Sequence, residues 1–338
     1  MQRPECAPDR RWCIALNMLA RDHVVKLCTA NGTSDAGGYI GDVQLVPFDF
    51  VKYFALWPHD IVICQFWTLA AQIMSLARSA LTKFVIDSVD LHFAREEAAL
   101  KLGIGDKREV KERKRTELET YRQAHGVIVA SADDEALLRK HGIDNICVVP
   151  IVTTLRTRVI PSRKNRLLFV GSFEHSPNVD GLLWFCREIF PLVLKRCPDA
   201  RLNIIGRGHV PPEVEALGLH PAITLLGEVP NMEPWLDRTA VSIAPLRFGA
   251  GMKAKVVEAM ASGIPVVTTS FGAQGIGGMS GEYLLIDDKP TQFADSVICL
   301  LEHPDLAESL GFRGQKHIDG ICGTNKVGPV LQNFIASL

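Results

Sequence analysis

The 338-residue sequence has almost no net charge: 37 basic side chains stand against 38 acidic ones. The balance holds in each half, with 19 basic and 20 acidic residues in 1–150 and 18 of each beyond. No basic face marks a nucleic-acid partner. Long hydrophobic runs are missing too. The most apolar stretch, Tyr53 to Ala77, is interrupted by Pro58, His59, Asp60 and Gln65, which makes it a poor membrane span. Met1 to Arg11 holds three arginines and two acids with no apolar run behind them, so no secretory leader is visible. The nine cysteines form no Cys-x-x-Cys pair and no zinc-like Cys/His spacing. They read as buried free thiols of a cytoplasmic protein, and no metal site is expected. No repeat of 20–50 residues is present.

What is present is a core. Apolar residues make up 47% and charged residues 22%, which excludes disorder, and the length suits about two domains. Short β-branched runs alternate with helical patterns. In the first half the strands are 24–28, 61–64, 84–87, 127–130 and 147–149, with helices around 67–80, 94–122 and 132–141. A Thr/Arg/Pro stretch follows. A second alternation places strands at 167–170, 202–205, 223–225, 241–244, 266–268 and 283–286, then helices near 290–302 and 304–318 and a tail helix from about Asn325. Strands separated by helices imply parallel sheets with right-handed crossovers. The fold class is therefore α/β, as two doubly wound domains: residues 1–150, a linker 151–165, a second domain 166–318 and a tail helix 319–338.

Residues 106–122 hold twelve charges, seven of them basic. The pairs Arg108/Glu112, Glu109/Arg113, Arg113/Glu117 and Arg115/Glu119 stand four apart and suit a solvated helix face better than a membrane-surface one.

Ligands of open α/β sheets bind beyond the carboxyl ends of the strands, where helix N-termini favour anions. The stretch 248–267, FGAGMKAKVVEAMASGIPVV, answers that rule. Gly249 and Gly251 let backbone approach a phosphate, Lys253 and Lys255 bring charge one turn in, and Glu258 lies on the following helix. A glycine turn before a tightly packed alanine-rich helix is the plainer reading of the same residues.

The stretch resembles the donor-binding signature of glycosyltransferase family 4, whose members have the two-domain GT-B fold of Rossmann-like units. Other pieces follow in the family's order: Leu167–Gly171 with Pro177-Asn178, then Asn203–Gly208, Leu226–Pro230 and Phe271–Ile276. The resemblance covers about residues 165–318, and the first 150 more loosely. It implies a retaining transfer of a sugar from a nucleotide-diphosphate sugar, with no cofactor and no obligatory metal. By position, Glu258 would hold the ribose hydroxyls. Gly249, Ala250, Gly251 and Lys253 or Lys255 would hold the diphosphate, with Gly171, Arg207 and Val229 completing the donor site. The acceptor expected is a glycan, a lipid-linked sugar or a small molecule, and by analogy the protein works at the inner membrane face. Two departures stand out. Relatives often carry a glutamate where this chain has Ala250, eight residues before Glu258, and an Arg and a Lys where it has Gly171–Asn178. Lys253 and Lys255 are expected to replace the second loss.

In the first half, 84–96 (FVIDSVDLHFARE) ends a strand where an acceptor-side group belongs, and Asp90 and His92 are the catalytic candidates. Equally, Asp87 or Asp90 could cap the following helix. His175 and His209 read as loop histidines, Trp67 and Trp184 as core residues opening helices, and Gly37-Gly38 as a plain loop. The chain starts with a helix where relatives start with a strand and a glycine loop, so a shortened enzyme or a later start than the true one is expected. The alternatives in view are a degenerate nucleotide-sugar binding relative and a nucleotide-sugar epimerase of the same fold. A dinucleotide oxidoreductase is disfavoured by the lack of a Gly-x-Gly-x-x-Gly turn after the first strand.

Overall fold

A computed structural model describes residues 7–28, 38–46, 60–76, 81–159 and 165–338. They divide into two compact units, one comprising residues up to Leu100, Ile104–Val152 and Cys322–Leu338, the other holding Thr153–Ile321.

The first unit runs α1 (Ala7–Leu19), β1 (Lys26–Cys28), β2 (Gly38–Ile40), β3 (Val43–Val46), β4 (Ile61–Gln65), α2 (Trp67–Leu76), β5 (Lys83–Ser88), α3 (His92–Leu100), α4 (Lys107–Gln123), β6 (Gly126–Val129), α5 (Ala132–Arg139) and β7 (Ile146–Val148). The four strands β4-β5-β6-β7 pair in parallel in that order. Alternate residues feed two cores. Val85 and Ile128 pack with Trp12, Ala15 and Leu16 of α1, while Phe84, Ile86, Val127 and Val129 pack with Ala70, Phe93, Leu118 and Leu138. Burial on both faces explains why these strands read as unbroken apolar runs.

A smaller sheet, β1-β3-β2, pairs β1 with β3 in parallel and β2 with β3 as a hairpin. Gly38 thus opens a strand rather than a plain loop, while Gly37 lies outside the described residues. The hairpin turns at Gly41, whose φ of +61° and whose missing Cβ admit Asn17 Oδ1 to within 2.0 Å of the position a Cβ would take.

The helix read across 94–122 is two helices. Gly103 and Gly105 take φ of +76° and +100°, which no continuing helix tolerates. Asp106 then caps α4 by accepting from the amides of Arg108 (2.8 Å) and Glu109 (3.0 Å). Of the charge pairs on α4, Arg113 meets Glu109 at 3.6 Å but not Glu117, which turns inward and is fully buried.

The second unit contains β8 (Arg166–Val170), α6 (Ser176–Trp184), a π-turn at Phe185–Ile189 leading into α7 (Phe190–Arg196), β9 (Arg201–Ile205), α8 (Pro212–Glu215), β10 (Ile223–Gly227), α9 (Glu233–Asp237), β11 (Val241–Ala244), α10 (Ala254–Ala261), β12 (Val266–Thr268), β13 (Leu285–Ile286), α11 (Pro290–Glu302) and α12 (Pro304–Cys322). Its six parallel strands lie in the order β10-β9-β8-β11-β12-β13. That is the doubly wound order of a Rossmann domain, with its switch point between β8 and β11. Trp184 closes α6 instead of opening a helix, and packs edge-on against Phe293 in the core.

The last helix, α13 (Thr324–Ser337), belongs to the first unit. Its Val327, Leu331, Phe334 and Ile335 share the core that α1 lines. Phe334 lies so close to Gly126 that a Cβ there would come within 2.6 Å of its ring, so β6 has to begin with glycine. No helix among the described residues is long and apolar enough to cross a membrane.

Candidate functional site

At the switch point of the second unit, three strand-end turns are stitched by backbone. Gly171 N–H donates to Ile205 O (3.0 Å), Gly206 N–H to Gly227 O (3.0 Å) and Phe173 N–H to Arg207 O (2.9 Å). This packing needs glycine: a Cβ on Gly206 would lie 2.3 Å from the Gly171 carbonyl. Arg207 therefore enters through its backbone. Val229 sits half-buried just beyond the edge strand β10, two strands away from β8.

The opposite side of the switch point is the loop from Pro245 to Lys253. Gly249 has φ of +150° and Gly251 of +69°, so this path is open to glycine and strained for other residues. Arg247 forks onto the Asp180 carboxylate, with its Nε 2.8 Å from Oδ2. Gly181 lets Pro245 O approach to 2.3 Å of where a Cβ would stand. The loop is thus pinned to α6. Lys253 is buried, and its ammonium donates to Ala250 O at 2.8 Å, to Gly251 O, and to Gln274 Oε1 at 3.4 Å. Its charge closes the loop from inside, and Ala250 takes part through its carbonyl.

Lys253 is also the N-cap position of α10 and gives that helix no side-chain capping bond. One turn in, Lys255 reaches across to β8. Its Nζ donates to Asn178 Oδ1 at 2.6 Å and stands 4.6 Å over the Phe169 ring. Asn178 is fixed in turn by donating to Ser172 O at 2.9 Å. A Cβ on Gly171 would be 2.8 Å from Asn178 Cγ and 3.0 Å from Lys255 Nζ. Gly171, Asn178, Lys255 and the α10 N-terminus therefore form one cluster. Burial, with the Lys253 charge beside it, draws the Lys255 pKa down to about 7. Glu258 stands on the next turn of α10, half-exposed. A helix N-terminus, glycine backbone and a lysine with little else to neutralise it make a seat for an anion of two or more charges. The sequence gives Asn178 no evident role, because an asparagine eight residues beyond a strand end carries no spacing signal.

The first unit has its own cluster, at the carboxyl ends of β4 and β5. Phe66, directly after β4, holds φ of +67°, an outlier for a bulky side chain that costs about 1–3 kcal/mol. Its ring centroid is 5.9 Å from that of His92. Trp67 is half-buried and packs against the core as expected, and its Nε1–H also donates to His92 Nδ1 at 3.2 Å. That bond assigns the proton of neutral His92 to Nε2, which faces Asp90 Oδ1 at 3.4 Å. Asp90 also accepts from Arg95 Nη1. The structure thus brings Asp90 and His92 together.

Asp87 is fully buried and accepts from the Trp12 indole of α1. The cap comes from α4: Glu117 Oε1 accepts from His92 N (3.0 Å) and Oε2 from Phe93 N (2.8 Å). Tyr121 hydroxyl donates to the same carboxylate at 2.9 Å. Burial lifts the Glu117 pKa from 4.5 to about 7, against the pull of these hydrogen bonds and of His92. Glu117 was invisible in the sequence because its spacing from Arg113 fits a surface pair.

Residues 164–303, within the second unit, match the family model for glycosyl transferases group 1. A Klebsiella pneumoniae protein described as an uncharacterized 44.6 kDa protein in the cps region is 29% identical over 157 residues, which cover 44% of this chain and 40% of that one. Among solved structures, sucrose-phosphate synthase from Thermosynechococcus elongatus superposes with a TM-score of 0.77 at 16% identity, covering 96% of this chain and 91% of its own. Anabaena HepE in complex with UDP-glucose gives 0.69 at 12% identity, covering 100% and 98%. TarM gives 0.69 at 16%, covering 84% of this chain and 57% of that one. The chain thus spans less than half of the curated relative it matches. At these identities the structural likeness shows the fold, which is GT-B with two Rossmann-like units.

Proposed function

We infer that a chain built around a group 1 glycosyl transferase domain uses it to bind a nucleotide-diphosphate sugar and to transfer the sugar, with retention, to an acceptor hydroxyl. The carrying observation is the cluster of Gly171, Asn178 and Lys255 at the uncapped start of α10. The diphosphate is taken by the α10 amides, the Gly249–Gly251 backbone and Lys255. Lys253 shapes that loop from within, so of the two lysines Lys255 is the one assigned to the ligand. Glu258 takes the ribose hydroxyls. As the anomeric C–O bond breaks, charge grows on the departing diphosphate, and donors already fixed there lower the barrier. The acceptor oxygen bonds to the anomeric carbon and passes its proton to the oxygen of the departing diphosphate. In the first unit Asp90 and His92 are the groups assigned to orient that hydroxyl. HepE was solved with UDP-glucose and with UDP, which favours a uridine nucleotide; a glycan or lipid-linked acceptor remains the expectation.

Thermal-shift titration of the 338-residue chain with UDP, GDP, ADP and their sugars tests the reading. A ligand at about 100 times its Kd adds about 2.7 kcal/mol, a readable rise. One nucleotide should raise Tm, and Lys255→Met should abolish the rise. No rise with any nucleotide, in a cooperatively folding sample, would refute it. A rise without transfer to any acceptor would favour the donor-binding relative without catalysis, a reading supported by Ala250 standing where relatives often have a glutamate.

A further inference from the structure

The proposal to which Asp90 and His92 belong leaves the buried carboxylate behind them without a task. Glu117 and Tyr121 of α4 contact no surface, yet both reach the turn that carries the pair. From Glu117 one path runs directly to α3: its two oxygens hold the amides of His92 and Phe93. A second path runs Glu117 to Tyr121 hydroxyl (2.9 Å), Tyr121 hydroxyl to Ser88 Oγ (2.8 Å), and Ser88 Oγ to the Asp90 carbonyl (3.0 Å). Both ends of the pair thus hang on one side chain: the backbone of His92 and the backbone of Asp90.

Counting hydrogens sharpens this. With Glu117 ionised, the hydroxyls of Tyr121 and Ser88 supply two hydrogens for the three contacts of the second path. With Glu117 protonated there are three hydrogens for three contacts, directed from Glu117 to Tyr121 to Ser88 to Asp90 O. Hydrogen bonds aligned in one sense reinforce each other. Ser88 donates to the Asp90 carbonyl in either state, and protonation of the carboxyl supplies the hydrogen that lets all three contacts of the path be hydrogen bonds at once.

We propose that Glu117 is the positioning residue for Asp90 and His92, holding the start of α3 and the Ser88–Asp90 turn in one geometry. The inference rests on the acceptor-side role assigned above to that pair. The groups around Glu117 are few. Asp90 and His92 face it from the β5–α3 turn and α3, Asp87 stands one residue before the end of β5, and Tyr121 lies on its own helix with Lys114, which pairs with Glu97 and stands 4.8 Å over the Phe93 ring. Helix α2, packed on α4, brings no titratable side chain.

The test is Glu117→Gln in the full chain. The variant keeps shape but turns one acceptor into a donor, facing two amides. Nitrogen-15 spectra of the His92 ring should show the Nε2–H tautomer in the wild type and its loss in the variant as His92 leaves Trp67. For transfer, kcat should fall about tenfold or more while KM for the donor stays within about twofold, because the donor groups lie in the other unit. The wild-type kcat should show an inflection near pH 7 that the variant lacks. Tyr121→Phe, which spares both amide caps and cuts the path to Asp90, should move kcat and its pH profile with little change in the His92 tautomer; it also serves if the glutamine variant does not fold. An unchanged His92 tautomer together with an unchanged kcat profile in a folded Glu117→Gln protein would overturn the proposal. A lost tautomer in a protein whose wild type transfers nothing would keep the positioning role and remove the function assigned to the pair.

Discussion

Lys255 gives the sharpest test of the donor site, because its charge depends on the ligand. In the free protein burial and the neighbouring Lys253 bring its pKa from 10.5 to about 7. A diphosphate in contact with its ammonium reverses both costs and returns the pKa well above 8.5. Binding must then take up protons. At pH 8 the free site is about 10% protonated, so uptake is about 0.9 proton per donor bound; at pH 6 it falls to about 0.1. By the same linkage the Kd weakens about 30-fold from pH 6 to pH 8.5. Calorimetric titration with a nucleotide sugar, whose diphosphate does not titrate in this range, in buffers of differing ionisation enthalpy reads the uptake directly. Lys255→Met should weaken binding and abolish both effects. Lys255→Arg, which keeps its charge, should bind with a flat pH profile. Uptake near zero at pH 8, with affinity independent of pH in the wild type, would refute the assignment of Lys255 to the diphosphate.

Three further outcomes follow from the packing. Gly171→Ala places a methyl 2.8–3.0 Å from Asn178 and Lys255 and should cost about 1–3 kcal/mol of stability and most donor affinity, read by Tm and by titration. Gly126→Ala drives a methyl to 2.6 Å from the Phe334 ring; it should destabilise by a similar amount, and Phe334→Leu should recover part of the loss in a double-mutant cycle. Glu117 holds its proton more tightly folded than unfolded, so the native state binds the extra proton between pH 4.5 and 7. Its contribution is fully present below 4.5 and is lost as pH rises through 7. Chemical denaturation of the wild type and Glu117→Gln should therefore differ in their stability slopes across pH 5–7, and parallel slopes would contradict the burial of the carboxyl.

Much of the architecture was legible because it rests on burial. Val85, Ile86, Ile128 and Val129 are covered on both sides of a parallel sheet, so the sequence shows them as unbroken apolar runs whose period cannot mislead. The loop after β11 was legible for a related reason: Gly249 and Gly251 mark backbone that only glycine takes easily. What escaped depends on partners distant in sequence. The amphipathic tail helix announces that it needs a core but not which one, and Phe334 finds it against Gly126, more than 200 positions earlier. Trp67 reads as a core residue, which it is, but only the fold shows that its indole also meets His92. Helices α3 and α4 merged because Leu102 and Ile104 keep the helical pattern across two glycines that cannot.

The two clusters share a physical logic that explains why both sit at strand ends. Each buries an ionisable group to the point where its charge is nearly optional at neutral pH: Lys255 is drawn down to about 7 and Glu117 raised to about 7. A fully solvated lysine would bind a diphosphate only weakly, because water screens it and must be displaced. A lysine already half-buried has met part of that cost during folding, so the arriving anion gains more of the interaction and the lysine takes up a proton from solvent. Glu117 works inward instead, with the α3 amides as its fixed counter-charge. Converting Lys255 to a permanently charged, solvated group should therefore weaken binding of the diphosphate and speed its release. Converting Glu117 should leave donor binding alone and change only the step that uses His92. Opposite signatures in the two variants would show that the clusters had been given each other's tasks.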